Sequence, residues 1–139
     1  MIVGLGLDIV EILRIQHSLQ RFGLRFMEKI LHKSETFFFS NQEEVASLKN
    51  ASHVAARFAA KEAGSKALGT GFSGGVNPVD IRVLSQPSGK PELFFHGKAL
   101  EQAQRLGVDF VHLSLTHSRL TAGAVVVLES ASENTHYIR

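Results

Sequence analysis

Cysteine and tryptophan are absent from this 139-residue chain, and proline occurs only three times. Without cysteine the chain has neither disulfides nor a thiolate nucleophile, a composition that agrees with a reducing compartment. No apolar run approaches the roughly 18 residues of a membrane-spanning helix, and the first residues lack the basic region of a secretory signal. We therefore expect a cytoplasmic protein that does not associate with membranes.

An excess of charge of one sign is also missing, since the formal net charge is +2. This value permits an anionic partner but does not by itself indicate nucleic acid. The phenylalanines fall in apolar stripes and do not alternate with basic residues, which argues against an RNA-binding surface. Length and ordinary composition predict one domain, residues 1–129, followed by a polar and frayed tail, residues 130–139.

A carboxylate interrupts the apolar face of the longest predicted helix, residues 41–68. At about 100° per residue, Ala51, Ala55 and Phe58 fall on one face, and Glu62 lies in the middle of it. The opposite side consists of small residues: Ala56, Ala60, Ala63 and Ala67. We expect this helix to be packed on both sides, so that Glu62 is partly buried and needs a cation.

Two cations are available to Glu62. Lys66 lies four residues later and forms an ordinary helical ion pair in the favourable order. Alternatively, Glu62 binds a hard divalent ion, and Lys61 and Lys66 supply positive charge to phosphate oxygens. Magnesium sites of that kind use one or two carboxylates together with substrate phosphates, so a second carboxylate is expected elsewhere.

Asp8 is the candidate for that second carboxylate. Residues 2–9 alternate as a strand, with Val3, Leu5, Leu7 and Ile9 on one face and Gly4, Gly6 and Asp8 on the other. Glycines in a strand often allow a ligand or another backbone to approach closely. Asp8 followed by Glu11 also fits the capping box of a following helix. The residues themselves leave both interpretations open.

Three arginines lie on one line of the next predicted helix, residues 10–26. Arg14, Arg21 and Arg25 fall within an arc of about 60°, opposite an apolar stripe and without an intervening acid. A solvated face is the simpler interpretation. The row also suits an acidic macromolecular partner, because guanidinium groups bind carboxylates and phosphates well.

The remaining chain contains two shorter predicted helices and four predicted strands. We expect helices at 28–39 and 98–106, a glycine-rich loop at 71–78, a hairpin of strands 80–84 and 92–95, and strands at 110–116 and 121–129. His117, at the turn between the last two strands, is a candidate acid, base or phosphate donor, or simply a turn residue. The pattern predicts an α+β fold, in which the long helix packs on a mainly antiparallel sheet.

Four motifs together resemble a known family. They are GLGLDIVEI from Gly4, FAAKEAGSKALGTG from Phe58, PSGKP from Pro87 and LSLTHS from Leu113. In this order and spacing they are similar to the bacterial holo-acyl-carrier-protein synthases, the short class of 4′-phosphopantetheinyl transferases. The resemblance covers residues 1 to about 129.

The resemblance implies a reaction and a site. Members transfer the phosphopantetheine arm of coenzyme A to a serine of acyl carrier protein and release adenosine 3′,5′-bisphosphate. Asp8 and Glu62 are then the magnesium ligands, Lys61, Lys66 and His117 lie around the coenzyme phosphates, and Arg57 contacts the 3′-phosphate. The other residues expected at the coenzyme are Gly69, Gly71, Pro87, Ser88, Gly89 and Lys90.

The resemblance also implies an assembly. Arg14, Arg21 and Arg25 would meet the acidic recognition helix of the carrier protein, and the chain would form a homotrimer with its sites at subunit interfaces. The acceptor of the serine proton stays open among a metal-bound water, Glu62 and His117. Two other functions compete with this one, a magnesium-dependent nucleotide pyrophosphatase and a non-enzymatic RNA-binding module.

Overall fold

A computed structural model of the chain describes residues 1–35 and 45–131. The helices are α1 (Ile12–Phe22), α2 (Leu24–Ile30), α3 (Leu48–Ala67) and α4 (Gly97–Arg105), with 3₁₀ turns at Lys33–Glu35 and Pro78–Asp80. The strands are β1 (Ile2–Glu11), β2 (Ile81–Ser85), β3 (Pro91–Phe95), β4 (Phe110–His117) and β5 (Thr121–Glu129). The predicted α+β fold, with a long helix on an antiparallel sheet, is confirmed.

The main sheet has the strand order β1-β5-β4, with both pairs antiparallel, and β2 and β3 form a separate hairpin. Helix α3 crosses one face of the main sheet and is about 30 Å long at 1.5 Å per residue. Its alanines at 51, 55, 59, 60 and 63 are fully buried. The helix is therefore packed on more than one side, as its two ridges of small residues predict.

Gly4 and Gly6 bring β1 against α3. A Cβ atom on Gly4 would collide with the backbone carbonyl oxygen of Ala67, and one on Gly6 would collide with that of Ala63. The glycine face of β1 therefore points inward and carries Asp8, which is 9% exposed, into the contact with the helix. The neighbour that these glycines admit is a backbone, one of the two possibilities that the sequence left open.

The apolar face of β1 points outward. Leu5, Leu7 and Ile9 are 65%, 62% and 66% exposed. On the adjacent strand, Val127 pairs with Leu5 and Val125 with Leu7, and both valines are only partly buried. A row of aliphatic side chains on the open face of a sheet typically marks a surface that a protein partner covers.

The predicted helix at 10–26 is wrong at both ends. Strand β1 continues through Glu11, so Asp8 lies within a strand and does not cap a helix. The helix then breaks at Gly23, whose φ of 59° lies in the left-handed region. Arg25 consequently belongs to α2, and the straight row of three arginines does not exist.

The next two predicted helices are also corrected. Helix α2 ends at Ile30, and Leu31 is extended, so no continuous helix runs from residue 28 toward 39. Helix α3 begins at Leu48, because Ser47 is extended and its hydroxyl accepts a hydrogen bond from the Asn50 amide at 3.2 Å. Asn41, the predicted N-cap, and Phe37, Phe38 and Phe39 lie outside the described residues.

The predicted strands and the helix near 98–106 are confirmed to within a few residues. The tail begins later than predicted, because Ser130 is buried and its amide donates to the Met1 carbonyl oxygen at 2.7 Å. Residues 132–139 lie outside the described part. Within the described ranges, no helix has the length and apolar character needed to cross a bilayer.

Candidate active site

Two carboxylates and one ammonium group meet where β1 crosses α3. Lys66 Nζ donates to Asp8 Oδ1 at 2.7 Å and to the carbonyl oxygen of Leu7 at 3.3 Å. The predicted helical pair of Glu62 with Lys66 is thus replaced by a pair between helix and strand. Hydrogen bonding to Asp8, together with its negative charge, raises the pKa of Lys66, which stays protonated at neutral pH.

Glu62 lies beside Asp8. Burial, followed by hydrogen bonding and charge repulsion from Asp8, raises the pKa of Glu62 to about 7. Lys66 and Arg14 act in the opposite direction, and the upward effects prevail. Two neighbouring carboxylates that cannot both ionise freely without a cation are a typical environment for a proton or a metal ion.

The donor set at this point fits magnesium. Asp8 Oδ2 is buried and has no hydrogen-bond partner among the described residues. The side chain of Glu62 is close enough to Asp8 for Asp8 to raise its pKa. Within residues 1–35 and 45–131, no group of three or more His, Asp or Glu residues is able to hold a metal ion. Two carboxylates with the remaining positions left to water and substrate phosphate match the way in which proteins bind magnesium.

Glu62 also lines an open cavity of about 350 Å³ between α1, α2, α3 and β1. We call this cavity the carboxylate pocket. Arg14 and Ser18 enter it from α1, Phe26 from α2, and Phe58 from the turn of α3 that precedes Glu62. It combines an apolar wall with charged groups at one end, as pockets for amphipathic ligands do.

A second cavity, of about 540 Å³, lies on another side of α3, and we call it the arginine pocket. Arg57 enters it from α3, and Gly89 and Lys90 enter from the turn of the β2–β3 hairpin. The structure therefore brings together residues from two distant sequence motifs. Pro87 and Ser88 lie in the same exposed turn but do not line the pocket.

Lys61 does not reach either pocket, which corrects its predicted place among phosphate ligands. Its ammonium group is completely buried. It donates to Glu35 Oε1 at 2.6 Å, to the Pro78 carbonyl oxygen at 2.9 Å and to the Ile81 carbonyl oxygen at 2.6 Å. An ammonium group has three hydrogens, so none is left for a phosphate.

Gly69 and Gly71 end helix α3. Their amides donate to the carbonyl oxygens of Lys66, at 2.9 Å, and Ser65, at 3.1 Å, and their φ angles are 81° and 57°. Glycine is needed here for the left-handed conformation, since a Cβ atom at either position would meet nothing within 4 Å. The two amides are used within the chain, at the end of α3, and the expected contact of Gly69 and Gly71 with the coenzyme stays a prediction.

His117 is exposed at the end of β4, on the sheet face that also carries Asp8. It pairs with Ala122, which in turn pairs with Val10, so two strand spacings, roughly 10 Å, separate His117 from β1. Its ring lines neither the carboxylate pocket nor the arginine pocket. Within one chain it does not join the two carboxylates.

The arginines of the first two helices have different surroundings. Arg14 and Arg21 are both exposed on α1. Arg14 lines the carboxylate pocket and its positive charge acts on Glu62, whereas the guanidinium carbon of Arg21 lies 5.2 Å from the ring centre of Phe22. Arg25 is exposed on α2. Only the first of the three is part of the carboxylate pocket.

A family model of the 4′-phosphopantetheinyl transferase superfamily matches residues 4–125. The chain belongs to this superfamily. It is 52% identical over 130 residues to the holo-[acyl-carrier-protein] synthase of Nitratidesulfovibrio vulgaris, and the match covers 94% of this chain and 100% of the relative. The motifs that suggested the family are thus embedded in a similarity that runs through nearly the whole chain.

Solved structures of transferases from this family have the same fold. The holo-[acyl-carrier-protein] synthase of Neisseria meningitidis aligns with a TM-score of 0.78 and 38% identity, covering 94% of this chain and 100% of the other. The enzyme of Bacillus anthracis, solved in complex with CoA (3′,5′-ADP), aligns with a TM-score of 0.72 and 40% identity, covering 94% and 99%.

Sequence reasoning missed several residues of this transferase's pockets. His53, Ser85 and Ser114 line the arginine pocket, and Phe58 and Ser18 line the carboxylate pocket. The sequence carried a signal for His53, because it lies one helical turn before Arg57. The structure places its side chain 3.2 Å from the guanidinium. Glu35, the buried partner of Lys61, gave no signal, because no local pattern links residues 26 positions apart.

The proximity of the two carboxylates makes a testable prediction for the metal-free protein. Asp8→Asn should lower the pKa of Glu62 from about 7 toward its ordinary value, because the repelling charge is removed. Lys66→Met should raise it, because an attracting charge is lost. Carbon-detected NMR titration of the glutamate carboxyl groups measures both, and shifts of the same sign in the two variants would contradict the proposed arrangement.

Proposed function

We propose that this protein transfers the 4′-phosphopantetheine group of coenzyme A to a serine of apo-acyl carrier protein and releases adenosine 3′,5′-bisphosphate. The observation that carries the proposal is the meeting of Asp8, Glu62 and Lys66, in a member of the transferase superfamily whose relatives are holo-[acyl-carrier-protein] synthases. A solved relative bound to CoA (3′,5′-ADP) supports coenzyme A as the donor. The absence of cysteine agrees with a reaction in the cytoplasm.

Magnesium fits between Asp8 and Glu62, where it would neutralise charge on the pyrophosphate of the coenzyme. Lys66 Nζ uses two of its three hydrogens on Asp8 and Leu7, which leaves one for a phosphate oxygen. Phosphoryl transfer requires charge neutralisation and in-line positioning more than covalent participation of the protein. Lys66 contributes positive charge from the chain itself, and Asp8 and Glu62 would hold the metal ion that neutralises phosphate charge.

The serine hydroxyl must lose its proton during the attack. Asp8 Oδ1 is occupied by Lys66, whereas Glu62 faces the open carboxylate pocket. We therefore assign proton acceptance to Glu62, because His117 of the same chain lies two strands away from β1.

Charge at positions 8 and 62 should be required for transfer. Asp8→Asn and Glu62→Gln keep the volume of each side chain but remove a ligand charge, so each should lower kcat by several orders of magnitude while the fold is retained. Mass spectrometry of apo-acyl carrier protein incubated with coenzyme A and magnesium measures the reaction, and circular dichroism checks the fold. Near-normal transfer by either variant at saturating magnesium would remove that residue from the set of ligands.

The two pockets indicate that a complete site needs more than one chain. Arg57 and Glu62 are five residues apart on α3, so they point about 140° away from each other around the helix. Each lines its own cavity, and α3 lies between them. We propose that coenzyme A bridges the carboxylate pocket of one subunit and the arginine pocket of its neighbour in a homotrimer.

The outward-facing row of Leu5, Leu7 and Ile9 supports such an assembly. An exposed aliphatic strand face of this kind is stable in water when another copy covers it. In a ring of three subunits, each subunit presents its carboxylate pocket to one neighbour and its arginine pocket to the other. Such a ring closes with three equivalent interfaces.

Subunit mixing tests the composite site. Arg57→Ala and Glu62→Gln should each be inactive alone, but co-expressed they should regain activity in mixed trimers, because some interfaces then combine an intact Arg57 with an intact Glu62. With random assembly about one interface in four is intact. Mixing Glu62→Gln with Asp8→Asn is the matched control and should recover nothing if both carboxylates come from one chain. Sedimentation equilibrium of the wild type should give a trimer, and a fully active monomer would contradict the proposal.

Arg14, Arg21 and Arg25 form the proposed surface for the carrier protein, which is expected to be acidic. Because Arg14 lines the same pocket as Glu62, we place it at the boundary between docking and chemistry. Arg21, which is exposed about two helical turns later on α1, serves docking alone. Charge-assisted contacts at exposed interfaces are weakened by salt, so this contribution should depend on ionic strength.

Arg21→Ala should raise the KM for carrier protein by about tenfold, as expected for one screened charge-assisted contact, with kcat and the KM for coenzyme A nearly unchanged. Its kcat/KM for carrier should also depend less steeply on salt than that of the wild type. Arg105→Ala, which removes an exposed arginine from α4, is the control and should behave like the wild type. Equal salt dependence in Arg21→Ala and wild type would exclude docking by this face.

A further inference from the structure

A buried ion pair behind the arginine pocket takes no part in the proposed chemistry. Glu35 and Lys61 have completely buried side chains and are joined at 2.6 Å. Burying two charges costs several kcal/mol per ion unless hydrogen bonds complete their coordination. A pair that only filled the core is often replaceable by apolar side chains without loss of stability, so the role of this pair depends on what its charged groups contact.

The hydrogen bonds of the pair's charged groups join several segments of the chain. Besides Lys61, the carboxylate of Glu35 accepts from the backbone amides of His32 and Val83, both at 3.0 Å. The ammonium of Lys61 donates to the carbonyl oxygens of Pro78 and Ile81 as well as to Glu35. The pair therefore ties α3 to β2 and to the 3₁₀ turn before β2.

Helix α3 and strand β2 form two of the sides of the arginine pocket, and β4 forms a third. Lys61 lies one helical turn after Arg57, which enters the pocket from α3. Ile81 and Val83 lie in β2, and the strand leads directly into the turn that carries Gly89 and Lys90. Glu35 also acts on Arg57 itself: burial lowers the pKa of Arg57, and the negative charge of Glu35 opposes this.

We propose that Glu35 and Lys61 are positioning residues that set the distance between Arg57 on α3 and the Gly89–Lys90 turn, and thereby shape the phosphate-binding end of the coenzyme site. The inference rests on the proposed function, because it takes the arginine pocket as the place of the coenzyme's phosphate groups. Lys61 does not bind phosphate itself. It acts by holding α3 against β2 and the turn before β2.

The test replaces the pair by neutral side chains of similar length, in Glu35→Gln with Lys61→Met. Binding of adenosine 3′,5′-bisphosphate, measured by isothermal titration calorimetry, should weaken by about tenfold, the low end for loss of groups that hold binding residues in place. The KM for coenzyme A should rise in parallel, while the KM for carrier protein should not change. A purely structural role would not separate these two constants.

Two further variants complete the test. Glu35→Asp keeps the charge but withdraws the carboxylate by one methylene, so it should show a smaller loss of binding in the same direction with little change in Tm. Lys98→Met with Glu101→Gln removes an exposed pair on α4, 3.2 Å apart, and is the matched control for the change in charge. It should bind adenosine 3′,5′-bisphosphate like the wild type.

The outcomes separate the two proposals. If the wild type neither binds adenosine 3′,5′-bisphosphate nor modifies the carrier, the proposed function is wrong. If the wild type does both and either folded pair variant binds as tightly, the positioning role is wrong. It is also wrong if the α4 control loses as much affinity, or if neither pair variant folds, because the pair would then serve folding itself.

Discussion

The close contact between the glycine face of β1 and the carbonyl side of α3 is the constraint on which the site depends. Gly4 and Gly6 have no side chain to hold the two backbones apart, and any Cβ there would strike a helix carbonyl. Only at this separation can Lys66 of the helix reach Asp8 of the strand at 2.7 Å. Strand glycines cost roughly 0.5–1 kcal/mol each relative to alanine, and here that cost permits a two-carboxylate site.

The same contact turns the apolar face of β1 outward. Since side chains alternate along a strand, burying Gly6 and Asp8 requires Leu5, Leu7 and Ile9 to point to solvent. The burial of Asp8 and the exposure of the aliphatic row thus both follow from which face of β1 packs against α3. One face of the sheet therefore carries Asp8, and the other face carries the exposed aliphatic side chains.

The charged side chains of helix α3 point to different sides of the helix. Glu62 and Lys66 face the strand, Arg57 faces the β2–β3 hairpin, and Lys61 lies between them, fully buried with Glu35. Two neighbouring residues, Lys61 and Glu62, therefore have different tasks although both belong to the same motif. Lys61 joins the elements next to the arginine pocket, and Glu62 lines the carboxylate pocket.

The sequence by itself determined the family and the α+β class of the fold, because periodicity and motif spacing are local properties. It also predicted Asp8, Glu62, Lys66 and Arg57 as site residues, and these roles are proposals. Tertiary structure decided what those residues contact. Lys66 pairs with Asp8 of β1 and not with Glu62 on its own helix. Lys61 is buried and pairs with Glu35. The amides of Gly69 and Gly71 form hydrogen bonds that end α3. The break at Gly23 separated Arg25 from Arg14 and Arg21. Each of these outcomes depends on backbones brought together from distant parts of the chain, for which helical and strand periods carry no information.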